Sequence, residues 1–363
     1  MENCSSKRFV YIDYLEAFAI VFVLLYHCTT YSFDFLASAS PVSYLRYLFR
    51  AVLAVCAPLF FFANGYLLLG REFDLHRHIR KTVRLIILTL LWGAITTLVL
   101  MAIRSVRLSV IDFIIKSVGL VNDWTNHLWF LYTLIFIYLL FPLVKAAYDC
   151  RKTVFNYFFI LVLVLSVLSG AFDMADRLFP DTMVSAVCQI CKTFLNNLNP
   201  FKGVRYWALA YFFAGGIARD KTGQILSVSA RRRNLIASAV LIVSCLCLFA
   251  AGVRISVRSG EVWDVVFNGY NTVFTMINVL CVFILCLNFT GESRAVTAVA
   301  KNTLGIYLIH LLVFNSILPY VERLPFSGGF AFSALLSVII LFVSLAAAVL
   351  IKKIPVLRGL LKY

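Results

Sequence analysis

Long apolar runs recur along this chain, each about as long as a helix must be to cross the hydrocarbon of a bilayer. A span needs roughly 20 apolar residues. Runs of this kind cover residues 9–30, 45–70, 80–103, 127–147, 153–172, 204–219, 234–253, 265–289, 300–320 and 328–351. Turn and charge signals separate them, among them Ser38 to Pro41, Arg71 to Arg80, Tyr148 to Lys152, Arg219 to Arg233, Gly291 to Arg294 and Pro325 to Gly329. The expected fold is an all-α polytopic membrane bundle of about ten transmembrane helices, one embedded domain over residues 1–363. Residues 107–124 read differently. Ile111, Phe113, Ile114, Ile115 and Val118 alternate there with Asp112 and Lys116, which suits an interfacial or re-entrant helix better than a span.

Composition agrees with lipid as the solvent. Hydrophobic residues make up 62% of the chain and charged residues only 14%, so no sizeable soluble domain is left over. The net charge of +16 is not read as a nucleic-acid signal. Basic residues between spans have a standing explanation, the retention of positive loops on the cytoplasmic side. Most of the Lys and Arg fall on one side if the N-terminus is inside, and the triplet Arg231-Arg232-Arg233 and the tail with Lys352 and Lys353 decide the orientation. Ten spans then leave both termini in the cytoplasm. The first run follows Lys7 and Arg8 as a signal peptide would, but it holds Asp13 and Glu16 and lacks a small-residue cleavage site, so it is read as a retained span. Most of the ten cysteines sit inside apolar runs as small hydrophobes. Cys188 and Cys191 have a CxxC spacing without histidine nearby, which is weak support for zinc or a redox role; no metal is expected.

Ionisable groups inside spans are costly and mark candidate sites. Glu16 and His27 are eleven residues apart, close to three helical turns, so they share one face of the first span with Asp13 nearby. Arg77, Arg80, Lys81 and Arg84 form a basic face at the start of the third span. Ordinary flanking charge explains it, and so does a phosphate-bearing ligand. His127 and Trp129 open the fourth span where an aromatic belt is expected, and Tyr307 and His310 lie within the ninth.

Taken in order, Tyr11-Ile-Asp13-Tyr-Leu-Glu16 with His27, the basic entry to the third span, His127-Leu-Trp129-Phe-Leu and Gly305-Ile-Tyr307-Leu-Ile-His310 resemble the acyltransferase-3 family of bacterial multi-span enzymes. The likeness covers essentially the whole chain. It implies a transferase that takes an acyl group from cytoplasmic acyl-CoA, with acetyl-CoA the expected donor, and passes it to a hydroxyl of an envelope glycan or lipid-linked sugar. It implies His27 as the catalytic residue, either a general base or a transient acyl carrier. Lys81 and Arg84 match the family's paired basic positions and imply contact with CoA phosphates, assisted by Arg80. Asp13, Glu16, His127, Trp129, Tyr307 and His310 are implied as supporting residues. The implied location is the bacterial inner membrane.

One departure stands out: the family usually carries arginine eleven residues before the histidine, where this chain has Glu16. The expectation is that Glu16 pairs with Arg84 or Lys81. A transporter or flippase of an envelope precursor is the alternative reading of such polar stripes, without the matched broken helices that would favour it. A non-catalytic member is the alternative raised by Glu16. Acceptor specificity is expected in the outer loops near 31–44, 104–126 and 173–203, which hold Asp34, Asp123, Asp173, Asp176 and Asp181.

Overall fold

The computed structural model describes residues 8–28, 33–120, 124–201, 205–324, 328–355 and 357–361; Asp123 and Pro325, singled out above, lie outside them. Helix α1 (Val10–Cys28) crosses the bundle, and α2 (Pro41–Leu53) with α3 (Cys56–Leu69) returns as one bent rod. The bend falls at Ala54 and Val55, just before Pro58, whose ring removes the N–H that would bond back to Ala54. Next come α4 (Leu75–Arg104), the short α5 (Val110–Ser117), and α6 (Trp129–Cys150), entered through a 3-10 turn at Asn126–Leu128. Helices α7 (Lys152–Leu163) and α8 (Ser169–Leu178) are one rod joined by a π turn at Val164–Leu168. Beyond α9 (Met183–Leu198) follow α10 (Trp207–Ser227), α11 (Ala230–Ser259), α12 (Val273–Cys286), α13 (Arg294–Ala300), α14 (Thr303–Val321) and α15 (Phe330–Lys353).

Among the described residues, eight stretches are long and apolar enough to cross a membrane: Val10–Cys28, Pro41–Leu69, Leu75–Arg104, Asn126–Cys150, Lys152–Leu178, Ala230–Ser259, Thr303–Val321 and Phe330–Lys353. The protein is an all-α polytopic membrane protein. The other two expected spans are helices of a different kind. Helix α10 carries Arg219, Asp220 and Lys221 in its second half. It needs little lipid-facing apolarity because protein surrounds it: Ala208 to Phe213 are all buried. It runs so close to α3 that a Cβ on Gly65 would strike the Phe212 carbonyl and one on Gly215 the Phe62 carbonyl. Glycine at both positions lets the two backbones touch. The same pairing satisfies the end of α3. Arg219 donates to the Tyr66 and Gly70 carbonyls at 3.0 and 3.2 Å, and Lys145 Nζ donates to the Leu69 carbonyl at 2.9 Å. These carbonyls have no partner within the helix.

Helix α12 has 14 residues, about 21 Å at 1.5 Å per residue, short of the hydrocarbon thickness. The run expected from 265 starts as a helix only at Val273, because residues 264–272 fold as turns. Asp264 accepts the Val266 and Phe267 N–H groups, and Tyr211 donates to the Tyr270 carbonyl at 2.6 Å. We call residues 263–272, which lead directly into α12, the re-entrant segment. Helix α5 has eight residues and leaves Val110, Ile111 and Ile114 exposed, the geometry of an interfacial helix.

Both ends of the described chain meet one face. Tyr14 donates to the Gly291 carbonyl ahead of α13, and Lys352 donates to the Lys301 carbonyl and Asn302 Oδ1 just beyond it. We call this face inner and the opposite one outer.

Candidate active site

The bundle brings three of the five histidines together from three separate helices. His27 ends α1, His127 lies in the 3-10 turn before α6, and His310 sits in the middle of α14. The His27 and His310 ring centroids are 5.3 Å apart, and those of His127 and His310 are 6.2 Å apart. His310 is fully buried and its Nδ1 lies 2.5 Å from the Tyr307 carbonyl. A carbonyl only accepts, so the proton sits on Nδ1 and Nε2 carries the lone pair in the neutral ring. Among the described residues Nε2 has no hydrogen-bond partner, and neither ring nitrogen of buried His127 has one. The Tyr307 hydroxyl donates a short hydrogen bond to the His127 main-chain carbonyl, tying α14 to the turn that carries His127.

His27 opens on a cavity of about 230 Å³ in the outer half, whose walls include Tyr26, Phe60, His127, Trp129, Phe130 and Tyr307. A cavity of about 170 Å³ lies in the inner half, lined by Glu16, Asn64, Arg71, Lys81 and Thr303 among others. Phe60, Phe130 and Tyr307 line both. The two vestibules therefore abut at an aromatic wall one to two turns from the histidines. Trp129 is part of the outer cavity and not merely a belt residue; its ring meets those of Tyr270 and Trp207 at a tilt and carries the Arg205 guanidinium at 4.5 Å.

The inner cluster differs from expectation. Lys81 lines the cavity, but Arg80 and Arg84 are exposed on the same turns of α4 and do not. The expected pairing of Glu16 with Arg84 or Lys81 is not formed: among the described residues Glu16 makes no ion pair within 4.0 Å. The reason is helix packing. α1 packs chiefly on α3 and α15, whereas α4 packs on α5, α6 and α14 and leaves Arg84 exposed. Arg71, in the turn after α3, is a further cation in the cavity that the motif spacing did not single out. Asp13 does not enter either cavity; it pairs with Arg8 at 2.6 Å.

A second cluster braces His27 from the outer side, and it was not anticipated. Asp264, in the re-entrant segment, accepts from the Tyr26 hydroxyl at 2.7 Å through Oδ2 and from Arg50 Nη2 at 3.1 Å through Oδ1. Arg50 is only 2% exposed and is sandwiched against Phe33 and Tyr26, 3.8 and 4.7 Å from their ring centroids. Its Nε and Nη1 have no hydrogen-bond partner among the described residues. A signal was present: an arginine inside an apolar run needs a partner. Arg50 is not singled out in the sequence because its partner is far along the chain.

The outer loops named for specificity contribute unequally. Asp34 caps its own turn by accepting the Leu36 and Ala37 N–H groups, and Asp176 is taken by Ser185 and Gln189. Asp173 faces an outer cleft, whereas the re-entrant segment, not among those loops, supplies Phe267 and Tyr270 to the outer cavity. Cys188 and Cys191 are free thiols on α9, and burial raises the Cys188 thiol above its ordinary value, which disfavours a reactive thiolate. Among the described residues no group of three or more His, Cys, Asp or Glu is placed to hold a metal ion.

Compared with known proteins, residues 9–353 match the family model described as an acyltransferase domain, nearly the whole chain. No curated protein and no solved structure matches it. A polytopic bundle with a histidine cluster at its outer vestibule, matched by that model over nearly its whole length, belongs to the acyltransferase-3 family of membrane acyltransferases.

Proposed function

We propose that this acyltransferase takes its acyl group from acyl-CoA, acetyl-CoA in the first instance, at the inner vestibule. It passes the group to a hydroxyl of an envelope carbohydrate or lipid-linked sugar in the outer one, in the bacterial cytoplasmic membrane with the inner face cytoplasmic. The observation that carries this reading is the shared wall of Phe60, Phe130 and Tyr307 between two cavities that meet beside His27. A cavity of about 170 Å³ is too small for a whole CoA but suits its pantetheine arm. The nucleotide then stays at the mouth, where exposed Arg71, Arg80 and Arg84 meet its phosphates and Lys81 sits deeper beside the arm.

His27 acts as general base. Its imidazole takes the proton of the acceptor hydroxyl as the oxygen attacks the thioester carbonyl, and the imidazolium returns that proton to the departing CoA thiolate. The products are an ester and free CoA thiol, so atoms and charge balance. His310 positions this chemistry. With its proton committed to the Tyr307 carbonyl, its lone-pair nitrogen belongs to the same cluster as the His27 ring.

The test is transfer of radiolabelled acetyl-CoA by membranes containing wild type or His27→Ala. Label is expected in an envelope carbohydrate fraction with wild type and not with the variant. Equal transfer by both removes His27 from the mechanism. Labelled acceptor precursor that changes sides without acquiring an acyl group favours a transporter instead.

A further inference from the structure

A third cavity, about 210 Å³, opens at the outer face beside the histidine vestibule and shares Phe267 and Tyr270 with it. It is built where four elements meet. The π turn Val164–Leu168 sets the register of α8, which brings Asp173 and Arg177 to the rim; the re-entrant segment brings Trp263, Asn268 and Asn271; Arg205 and Trp207 come from the start of α10. The Tyr206 hydroxyl donates to the Leu165 carbonyl inside the π turn at 2.9 Å, fixing α10 against the rod. A π turn frees main-chain acceptors of this kind and recurs near functional sites.

The polar groups of this cleft fall into two sets. Asp173 is already neutralised, paired with Arg177 at 3.0 Å and with Lys192 at shorter range. The side chains of Arg205, Asn268 and Asn271 make no hydrogen bond or ion pair among the described residues. The Arg205 guanidinium is half-buried and lies over the Trp129 and Phe267 rings, 4.5 and 5.3 Å from their centroids. It is held flat on aromatic faces with its donors unspent, the preorganised state in which guanidinium recognises carboxylate or phosphate. Asn268 and Asn271 each offer a donor and an acceptor, the complement of a hydroxyl. Trp207 and Trp263 supply apolar wall between these groups. The cleft thus combines a guanidinium without an ion-pair partner among the described residues, two amides and indole surface, and adjoins the histidine vestibule at Phe267 and Tyr270, which line both.

We propose that this cleft is the acceptor subsite and that it selects an anionic saccharide, a sugar bearing a carboxylate or a phosphate. Arg205 engages the charge and Asn268 and Asn271 engage ring hydroxyls, so that a neighbouring hydroxyl is presented to His27. The role of the subsite rests on the acyl-transfer reading above; its binding preference does not.

Purified protein in nanodiscs is titrated with trigalacturonate, glucose 6-phosphate, neutral maltotriose and citrate, with quenching of tryptophan fluorescence as the readout. One of the two anionic sugars is expected to bind at least about tenfold more tightly than maltotriose, and which one does so identifies the charge. Arg205→Gln is expected to abolish that preference and Arg205→Lys to keep part of it, because the charge survives without the planar fork. If Arg205→Gln does not fold, Arg205→Lys and Asn271→Ala, each checked by thermal melting, carry the test through loss of preference and of affinity. Maltotriose or citrate binding as tightly as both anionic sugars overturns the proposal. So does an unchanged preference in Arg205→Gln, or no saturable quenching by any ligand. His27→Ala is expected to bind normally. Wild type that binds the anionic sugar but transfers no acyl group refutes the acyl-transfer reading alone; transfer without any preference for anionic acceptors refutes the subsite alone.

Discussion

Arg50 and Asp264 are 214 positions apart in the chain and joined at 3.1 Å, with Tyr26 on the second carboxylate oxygen. The pair fastens the re-entrant segment to α2, and the Tyr26 hydroxyl fastens it to α1 next to His27. Removing one partner of a buried pair leaves the other charge uncompensated, at a cost of about 3–5 kcal/mol where both are buried. Asp264 is about a third exposed, so the loss on Asp264→Leu is expected at or below the lower end of that range. Thermal unfolding of Asp264→Leu, Arg50→Met and the double variant checks this. The double variant is expected to be more stable than Asp264→Leu alone, since no lone charge remains.

Removal of the His310 imidazole tests its positioning role. His310→Gln is expected to lower kcat by roughly 10²-fold with little change in the KM for acyl-CoA, within the usual reach of proton-transfer catalysis. An equal rise in KM counts against positioning and for a general loss of the cavity. Steady-state kinetics separate the two.

Much of the fold and part of this site is legible from residue order alone. Glu16 and His27 on one face of α1 follow from helical spacing, and α5 follows from alternating charge and apolar residues. Helix α10 is harder to read because its surroundings are protein, so its sequence does not need the apolarity that lipid demands of α11 or α15. The Arg50–Asp264 pair is hidden for another reason. Each residue looks like ordinary charge at a span end until the fold brings them together. Glu16 illustrates the converse. Its face was readable, but its neighbours were not, because α1 turns out to pack on α3 and not on α4.

The Tyr307 hydroxyl offers a cleaner perturbation than the histidines. Tyr307→Phe keeps the ring in the shared wall but leaves the His127 carbonyl without its donor. An unpaired buried acceptor costs about 1–3 kcal/mol. The variant is expected to lose that much stability by thermal melting and to lose kcat through displacement of the His127 turn.

In the inner vestibule, Lys81→Ala is expected to raise the KM for acyl-CoA more than Arg84→Ala does. Lys81 lines the cavity, whereas Arg84 is exposed and screened by salt. Measuring both at low and at high ionic strength checks the assignment: the Arg84→Ala effect is expected to vanish with added salt and the Lys81→Ala effect to persist.

The contact of α3 with α10 has no room for growth. Gly65→Ala places a methyl against the Phe212 carbonyl and is expected to cost about 1–3 kcal/mol or to prevent folding altogether. Expression and melting of Gly65→Ala beside Gly223→Ala, where nothing stands within 4 Å, tests it; the second is expected to be neutral or mildly stabilising.

The aromatic wall shared by the two vestibules also has an electrical meaning. Aqueous recesses on both sides concentrate the membrane potential across the few residues between them, where moving one elementary charge is worth about 2.3 kcal/mol per 100 mV. In the proposed reaction an acyl group crosses that wall outward and a hydroxyl proton crosses inward to the thiolate. The exchange carries no net charge, so the equilibrium of the transfer should be indifferent to the membrane voltage even though its chemistry takes place where the field is steepest.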